Sequence, residues 1–544
     1  MLPRFNYKVM KYNILLFVLL FWNIHLIVAQ PLTLNWQSCY GTSSNDVVQD
    51  IVSTGDGYII AGSNSAYKLL LVKTDLDGNF VWEKQYWGSD FGEGAFRIFP
   101  ADVGNYFVVA TASSSDGDVT YDPYPDANNC WILKIDGEGN KIWDKIFGGN
   151  CNDKGWTGAF VSDTSVVSFG GTCSTDGDIS VNHGFWDGWM IKVDKEGNKV
   201  WDFSMGNSSL DFASAIIETS DKGFLAATYS YYGDVGNIEC STFDPTLEFG
   251  QAVLVKLDEN ANIVWQHCYG GSKNESIMDI IETEDGFLLA CYADSNDGDV
   301  QGAGYHIGYD NGGNVTSDIW LVKTDFEGNI VWSKCYGGYY TESPSRVFRT
   351  EDGGYIVFGR TSSNDGDVSG YHNEAGWYRD IWVIKVSSTG QLQWQQCIGG
   401  AGNEDIANAV IQLEGGKYVF SATLNSNNTG DINCITDPNS WSVWLVEVTD
   451  TTVGLPEQNR KQSIISCFPN PANSWVNFEY ELPEGIYNAH IEITNTLGLP
   501  VGRLSIQSNT TNQWFDTRYL LQGFYLCTLQ TNHSKQSIKL IVKH

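Results

Sequence analysis

Short apolar runs of about five to eight residues, rich in β-branched and aromatic side chains and bounded by Gly, Asp or Asn, recur along most of the chain. Runs of that length with those boundaries predict strands and not helices. One unit reads as 263–268 around Trp265, then 276–283, 286–292 and 319–324. Its tryptophan run returns at Trp36, Trp82, Trp143, Trp201, Trp265, Trp332 and Trp394, spaced 46 to 67 residues apart. Its third run returns at 57–61, 106–110, 166–170, 223–227, 286–290, 354–358 and 417–421. Its fourth returns at 69–73, 131–134, 189–192, 252–256, 319–323, 381–385 and 443–447.

Seven copies of four runs predict an all-β fold, a seven-bladed β-propeller over residues 30–450. A tight link, in most units D-x-x-G-N as from Asp75 to Asn79, joins each fourth run to the next tryptophan run, as a hairpin within one sheet would. The first tryptophan run, 32–39, and the last fourth run, 443–448, are then left without partners, and their pairing should close the ring non-covalently. The repeat tryptophans are expected to be largely buried.

The pattern D-x-x-G-N-x-x-W followed by Y-G-G, D-G-G-Y-I-V and I-W-V-I-K resembles the bacterial β-propeller repeats of exported surface proteins, a group with no shared activity. The resemblance covers residues 31–450, with departures in the short link 63–68 and in Asp163-Thr164-Ser165, which stands where D-G-G is usual.

Both ends of the chain differ from the repeats. Residues 1–29 read as a signal peptide: Arg4, Lys8 and Lys11 precede an apolar stretch at 14–28, shorter than a membrane span needs, with a plausible cut at Ala29-Gln30. No other segment is apolar enough to span a bilayer. Residues 451–462 read as a polar linker, and 463–544 carry strand-like runs at 476–480, 489–494, 523–529 and 538–542, which predict a small β-sandwich. There, Phe468-Pro469-Asn470-Pro471-Ala472, Ile491 to Gly498, Leu520 to Gly523 and Tyr525, and the final Lys539 to Lys543 occur in an order that resembles the type A C-terminal sorting domain of type IX secretion substrates. The resemblance implies export across the outer membrane of a Gram-negative bacterium with the type IX secretion machinery as partner, then removal of the domain and release or surface attachment of the cargo.

Charge narrows the partners. The chain carries 32 basic and 65 acidic residues, and residues 30–454 alone hold 22 basic against 59 acidic, a net −37. Such a surface repels nucleic acid. Of the twelve cysteines, Cys39, Cys268, Cys335 and Cys397 occupy one repeat position, W-x-x-C, and are read as small buried hydrophobes that cannot bridge one another. Cys130 with Cys151, Cys151 with Cys173, and Cys467 with Cys527 are left as possible pairs.

Candidate chemistry lies in the loops between third and fourth runs. These carry S-x-D-G-D with Asp116 and Asp118, Asp176 and Asp178, Asp297 and Asp299, Asp365 and Asp367, while Asp234 and Asp431 stand alone. Alternate carboxylates could ligate calcium, although a full calcium loop is missing; the competing role is an Asx-type turn that satisfies backbone N–H groups. His183, His306 and His372 follow three of these loops and could face a shared ligand, hold a transition metal with the acids, or cap the loop. Trp186, Trp377 and Trp441 stand in the same loops and could stack on sugar rings or peptide side chains, or pack between blades. No hydrolase, phosphate-loop or dinucleotide motif is present. The expectation is therefore a non-catalytic binding or adhesion protein, secreted or at the cell surface, with a glycan or surface-protein ligand and no cofactor beyond possible calcium. The alternative is a secreted polysaccharide-degrading enzyme, a glycoside hydrolase or lyase built on the propeller, which would need one asymmetric acidic cluster with a raised carboxyl pKa.

Overall fold

In a computed structural model of the chain, the described residues are 30–40, 46–89, 92–125, 127–231, 235–239, 248–373, 376–424, 428–434, 441–452, 464–481, 489–495, 500–506, 512–531 and 535–544. The signal-peptide reading, most of the linker, Asp234 and Gly498 lie outside them. Contacts divide the chain into Met1–Thr451 and Thr452–His544.

Among the described residues, the first unit holds seven four-stranded antiparallel sheets. The first sheet runs Val47–Ser53, Gly57–Ser63, Leu69–Asp75 and Phe80–Tyr86, and each later sheet repeats that order: an opening strand, two middle strands and a tryptophan strand. The seventh departs from it: Glu404–Leu413, Lys417–Leu424 and Ser442–Asp450 are completed by Leu32–Tyr40 from the other end of the unit, with Leu32 opposite Asp450 and Cys39 opposite Trp444. Every opening strand carries a register shift near its middle and packs on the opening strand of the next sheet, and Glu404–Leu413 packs on Val47–Ser53 to complete the cycle.

The apolar residues form seven clusters in this unit, each shared by two neighbouring sheets. The middle strands bury both faces, so a lone sheet would expose two apolar surfaces and each depends on its neighbours.

The tryptophans correct one expectation. All seven repeat tryptophans are only half-buried, because they stand on edge strands; the fully buried ones are Trp131, Trp189, Trp320, Trp382 and Trp444 of the third strands. The edge tryptophans lock one sheet to the next. Trp36 and Trp82 lie over Gly78 and Gly139 in the D-x-x-G-N turn of the following sheet, and Trp332 over Gly390 in the equivalent turn from Ser387 to Gln391; an added Cβ on these glycines would sit 2.4 to 2.7 Å from the ring. Tyr269 and Tyr336 donate their hydroxyls to the carbonyls of Gly328 and Gly390 in those same turns, both at 2.6 Å. The turn glycines have φ of +72° to +87° and no space for a side chain, so the W, Y and G-N elements of the repeat form one inter-sheet contact.

The cysteines correct two more. Cys39 is not a lone buried hydrophobe: it is disulfide-bonded to Cys434, 395 residues away, so closure of the seventh sheet is covalent as well as hydrogen-bonded. Cys268 is also disulfide-bonded, whereas Cys335 and Cys397 are buried free thiols. Equivalent cysteines do not bridge one another, but Cys434 lies in the loop between the middle strands of the sheet that Cys39 completes. Of the candidate pairs, Cys151–Cys173 forms, and Cys130, Cys467 and Cys527 are free.

In the second unit, Ile464–Phe468, Trp475–Glu481 and Asn512–Asp516 form a three-stranded sheet, and Pro500–Ile506, Ala489–Thr494, Gly523–Thr531 and Lys535–Val542 a four-stranded one. Both contribute to one core around Val476, Phe478, Ile491, Cys527 and Leu540. The sequence reading missed Ile464–Phe468, Pro500–Ile506 and Asn512–Asp516.

Candidate functional site

The D-G-D loops act at the sheet junctions. In each, the acids clasp the glycine-rich turn that leads from one tryptophan strand to the next opening strand. Asp176 accepts the backbone N–H of Asn150 at 2.9 Å and Asp178 that of Gly148 at 3.1 Å. Asp116 and Asp118 accept from Ser89 and Trp87, Asp297 and Asp299 from Ser272 and Gly270, and Asp365 and Asp367 from Tyr339 and Gly337. In the last junction Thr429 replaces the first acid, accepting from Ala401, and Asp431 accepts from Gly399. In return the N–H groups of Asp118, Asp178, Asp299, Asp367 and Asp431 each donate to a carbonyl of the clasped turn at 2.8 Å. The glycine between the acids has φ of +58° to +69°, and a Cβ on it would lie 2.2 to 2.5 Å from a carbonyl oxygen of that turn. The carboxylates thus satisfy backbone donors of the neighbouring turn, the Asx-type role extended across two sheets. Among the described residues, no group of three or more His, Cys, Asp or Glu side chains is placed to hold a metal ion.

The three histidines occupy three different sheets. Each Nδ1 meets a fully buried aspartate at the start of a third strand: His183 with Asp187 at 2.9 Å, His306 with Asp318 at 2.9 Å and His372 with Asp380 at 2.6 Å. Each backbone N–H donates to that same oxygen. On the far side, Nε2 of His372 lies 3.5 Å from Asp431 and that of His306 4.0 Å from Asp367. The hydrogen bond to Asp318 raises the pKa of His306.

Beside them lie acids that the sequence reading did not single out. Asp153, Asp211, Glu275 and Glu342 begin opening strands and are fully buried. Burial pushes Asp153 up to about 6, Asp211 and Glu275 to about 7 and Glu342 to about 8, against hydrogen bonds that pull the other way. Each shares a turn glycine with a polar residue of the preceding sheet: Asn129 with Asp153 at Gly148, Asp187 with Asp211 at Gly206, Gln251 with Glu275 at Gly270, Asp318 with Glu342 at Gly337. Two junctions therefore pair an amide with an acid, and two pair acid with acid.

Mid-strand, Arg97 lies 3.7 Å from Asp50 and donates to the Thr157 hydroxyl at 3.1 and 3.2 Å, while Arg346 lies 3.4 Å from Asp279. Asp50 and Asp279 also accept the N–H groups of Ile98 and Val347 on the next opening strand. These charges occur in single sheets and not in every repeat, so periodicity could not flag them.

The candidate tryptophans differ. Trp186 is half-buried, stacked on Trp156 at 5.8 Å and laid over Gly171. Trp441 is half-buried, and its carbonyl accepts the N–H of Asp46. Trp377 is 68 % exposed.

In the second unit the F-P-N-P-A segment is stitched to the last strand. Asn470 donates to the Lys539 carbonyl at 2.7 Å and accepts from Ile541 at 2.9 Å; the N–H of buried Ala472 donates to the Ile541 carbonyl. Pro469 and Pro471 flank that contact. Gly523 opens a strand in which Tyr525 is buried, its hydroxyl donating to the Leu521 carbonyl at 2.7 Å. A cavity of about 940 Å³ is lined by Trp514, Tyr519, Leu521 and Phe524 among others.

Residues 466–543 match the Secretion system C-terminal sorting domain. No curated protein matches the chain. Among solved structures, a protein of unknown function from Bacteroides caccae is 11 % identical over 65 % of this chain and 94 % of its own, with a TM-score of 0.32. The β-propeller domain of the Trilobed protease from Pyrococcus furiosus is 8 % identical over 76 % of this chain and all of its own, TM-score 0.38. A puromycin hydrolase is 10 % identical over 80 % of this chain and 58 % of its own, TM-score 0.42. Among the described residues, no helix is long and apolar enough to cross a membrane. The chain thus combines an all-β array of repeated four-stranded sheets, consistent with a β-propeller, with a C-terminal sorting domain that indicates type IX export to the cell surface or beyond.

Proposed function

We propose that this is an exported, non-catalytic binding or adhesion protein of a Gram-negative bacterium. In this reading residues 1–29 are a signal peptide, 30–450 a seven-bladed β-propeller, 451–462 a linker and 463–544 a β-sandwich that the type IX machinery recognises. The propeller is the cargo, displayed on the cell surface or released, and its ligand is a glycan or a surface protein.

The observation that carries the reading is the sorting domain at 466–543 joined to a repeat unit whose polar constellations recur from junction to junction. An enzyme would need one asymmetric acidic cluster open to substrate. Four of the carboxyls with raised pKa values, Asp153, Asp211, Glu275 and Glu342, instead recur at equivalent junctions in fully buried positions. The D-G-D acids give lone pairs to backbone N–H groups, which supports a scaffold role for them over calcium binding. Exposed loop aromatics such as Trp377 then become the surface's binding groups.

Deleting residues 463–544 in the producing cell tests the export half. The propeller should accumulate folded in the periplasm and leave the surface and medium. Equal surface or medium yields with and without the segment would refute it.

A further inference from the structure

The junction between the fifth and sixth sheets departs from the other clasps in a way the clasp does not require. The residue that donates its backbone N–H to the first loop acid is Ser89, Asn150 or Ser272 elsewhere, and Ala401 does the same toward Thr429, but here it is Tyr339. The next position donates its N–H to a loop serine, from Cys151 and Lys273 in two other junctions and from Tyr340 here. Only main-chain atoms serve the clasp, so two consecutive aromatic rings are surplus to it. Tyr339 is 44 % exposed, and its ring packs on that of Tyr340 at 5.2 Å.

More rings gather on either side. Gly308 lies so close to the Tyr339 carbonyl that a Cβ there would be 1.7 Å away, and the Thr316 hydroxyl donates to that same carbonyl; the next residue, Tyr309, is 49 % exposed. Gly376 lies against the Tyr340 ring, 2.5 Å from a built Cβ, and is followed by Trp377, 68 % exposed, and Tyr378, 43 % exposed. Loops of two successive sheets thus present Tyr309 and Trp377 about a central tyrosine pair. His306 and Asp367 stand in the same junction.

We infer that Tyr309, Tyr339, Tyr340, Trp377 and Tyr378 form a platform that binds neutral polysaccharide chains by stacking on sugar rings. The inference rests on the binding reading above and names its ligand class. Exposed aromatic faces carry a negative quadrupole that suits the polarised C–H groups of a sugar face, and rigid rings lose little conformational entropy on binding. Charge selects among glycans. The chain carries 65 acidic against 32 basic residues, and Asp310, Asp365 and Asp367 lie in the loops beside the rings, so uronic-acid and sulfated chains are repelled while neutral hydroxyls find acceptors.

The test uses the full chain on an array of neutral gluco-, xylo- and manno-oligosaccharides with alginate and sulfated oligosaccharides as comparators, followed by calorimetric titration of the strongest binder. A neutral oligosaccharide should bind with an affinity insensitive to salt. Trp377→Ala and Tyr339→Ala should each weaken it by about tenfold or more, the loss typical of a central aromatic anchor. Phe185→Ala, an exposed ring in another sheet, should leave affinity unchanged, and circular dichroism should show every variant folded. Binding of anionic glycans alone, binding of no glycan, or full affinity in the Tyr339→Ala/Trp377→Ala double variant would overturn the platform. A protein ligand captured equally well by that double variant would also overturn it while leaving the binding reading intact. New reducing ends released from the bound oligosaccharide would refute the non-catalytic reading and leave the platform standing.

Discussion

Replacing Glu342 with glutamine should remove a loss of stability that the parent chain suffers as pH rises. Glu342 is fully buried; its carboxyl accepts the Gly338 N–H at 2.8 Å and the Thr361 hydroxyl at 2.6 Å, and it shares Gly337 with Asp318, whose Oδ1 has no hydrogen-bond partner. Burial raises its pKa from 4.5 to about 8, so across that window the folded chain holds a proton that the unfolded chain has lost. Its stabilising contribution is therefore complete below the unfolded value and is lost as pH climbs through the folded one, at about 1.4 kcal/mol per pH unit in between. Glutamine cannot ionise, and with its oxygen in the place of Oε2 it still accepts the Gly338 N–H while its amide nitrogen meets the Thr361 hydroxyl, so the junction holds an amide beside an acid, as Gln251 stands beside Glu275. Urea unfolding followed by tryptophan fluorescence at several pH values should then show the variant gaining on the parent by about 3–4 kcal/mol between about pH 5 and about pH 8. Parallel stability profiles, with a relative change below about 1 kcal/mol, would refute the raised carboxyl.

Three other outcomes are expected. The Cys39→Ser/Cys434→Ser variant should lose about 3–5 kcal/mol, because the bond spans 395 residues and constrains a very long unfolded loop; an unchanged urea midpoint would show that strand pairing alone closes the seventh sheet. Trp320→Ala should cost about 3–5 kcal/mol and Trp265→Ala about half of that, since the first is fully buried and the second half-exposed; equal losses in urea titrations would contradict the edge-strand placement. Chelation of calcium should shift the melting temperature little, because the D-G-D acids already accept backbone donors; a shift of more than about ten degrees would make those loops structural metal sites.

Much of the first unit was legible in the sequence because its signals are periodic. Four apolar runs recurring seven times gave the strands, and the D-x-x-G-N hairpins gave the offset that leaves Leu32–Tyr40 to pair with Ser442–Asp450. What escaped was set by position across strands. Period-2 alternation cannot tell a middle strand from an edge, so Trp265 looked as buried as Trp320. The partner of Cys39 is in a loop of the same sheet, so comparing only equivalent cysteines concealed it. The D-G-D acids were readable as turn-formers, but their donors lie 25 to 32 residues earlier, in Y-G-G-type turns that mark no contact by themselves. In the second unit, Pro500–Ile506 and Asn512–Asp516 interleave Gly, Arg, Asn and Gln with few apolar residues, which hid two of its seven strands.

The bond between Cys39 and Cys434 makes everything from 39 to 434 one covalent hoop, and the sorting segment is the tail that follows it in the sequence. Synthesis proceeds from the N-terminus, so the last strand of the hoop leaves the ribosome immediately before the address label does. A chain truncated before Cys434 can neither fasten the hoop nor show the label. The order of residues along the gene therefore works as a completeness check: a molecule reaching the exporter with its tag has already made the part needed to buckle itself shut. Once buckled, it can lose the tail to a protease, or take a cut in a surface loop, without its ends drifting apart.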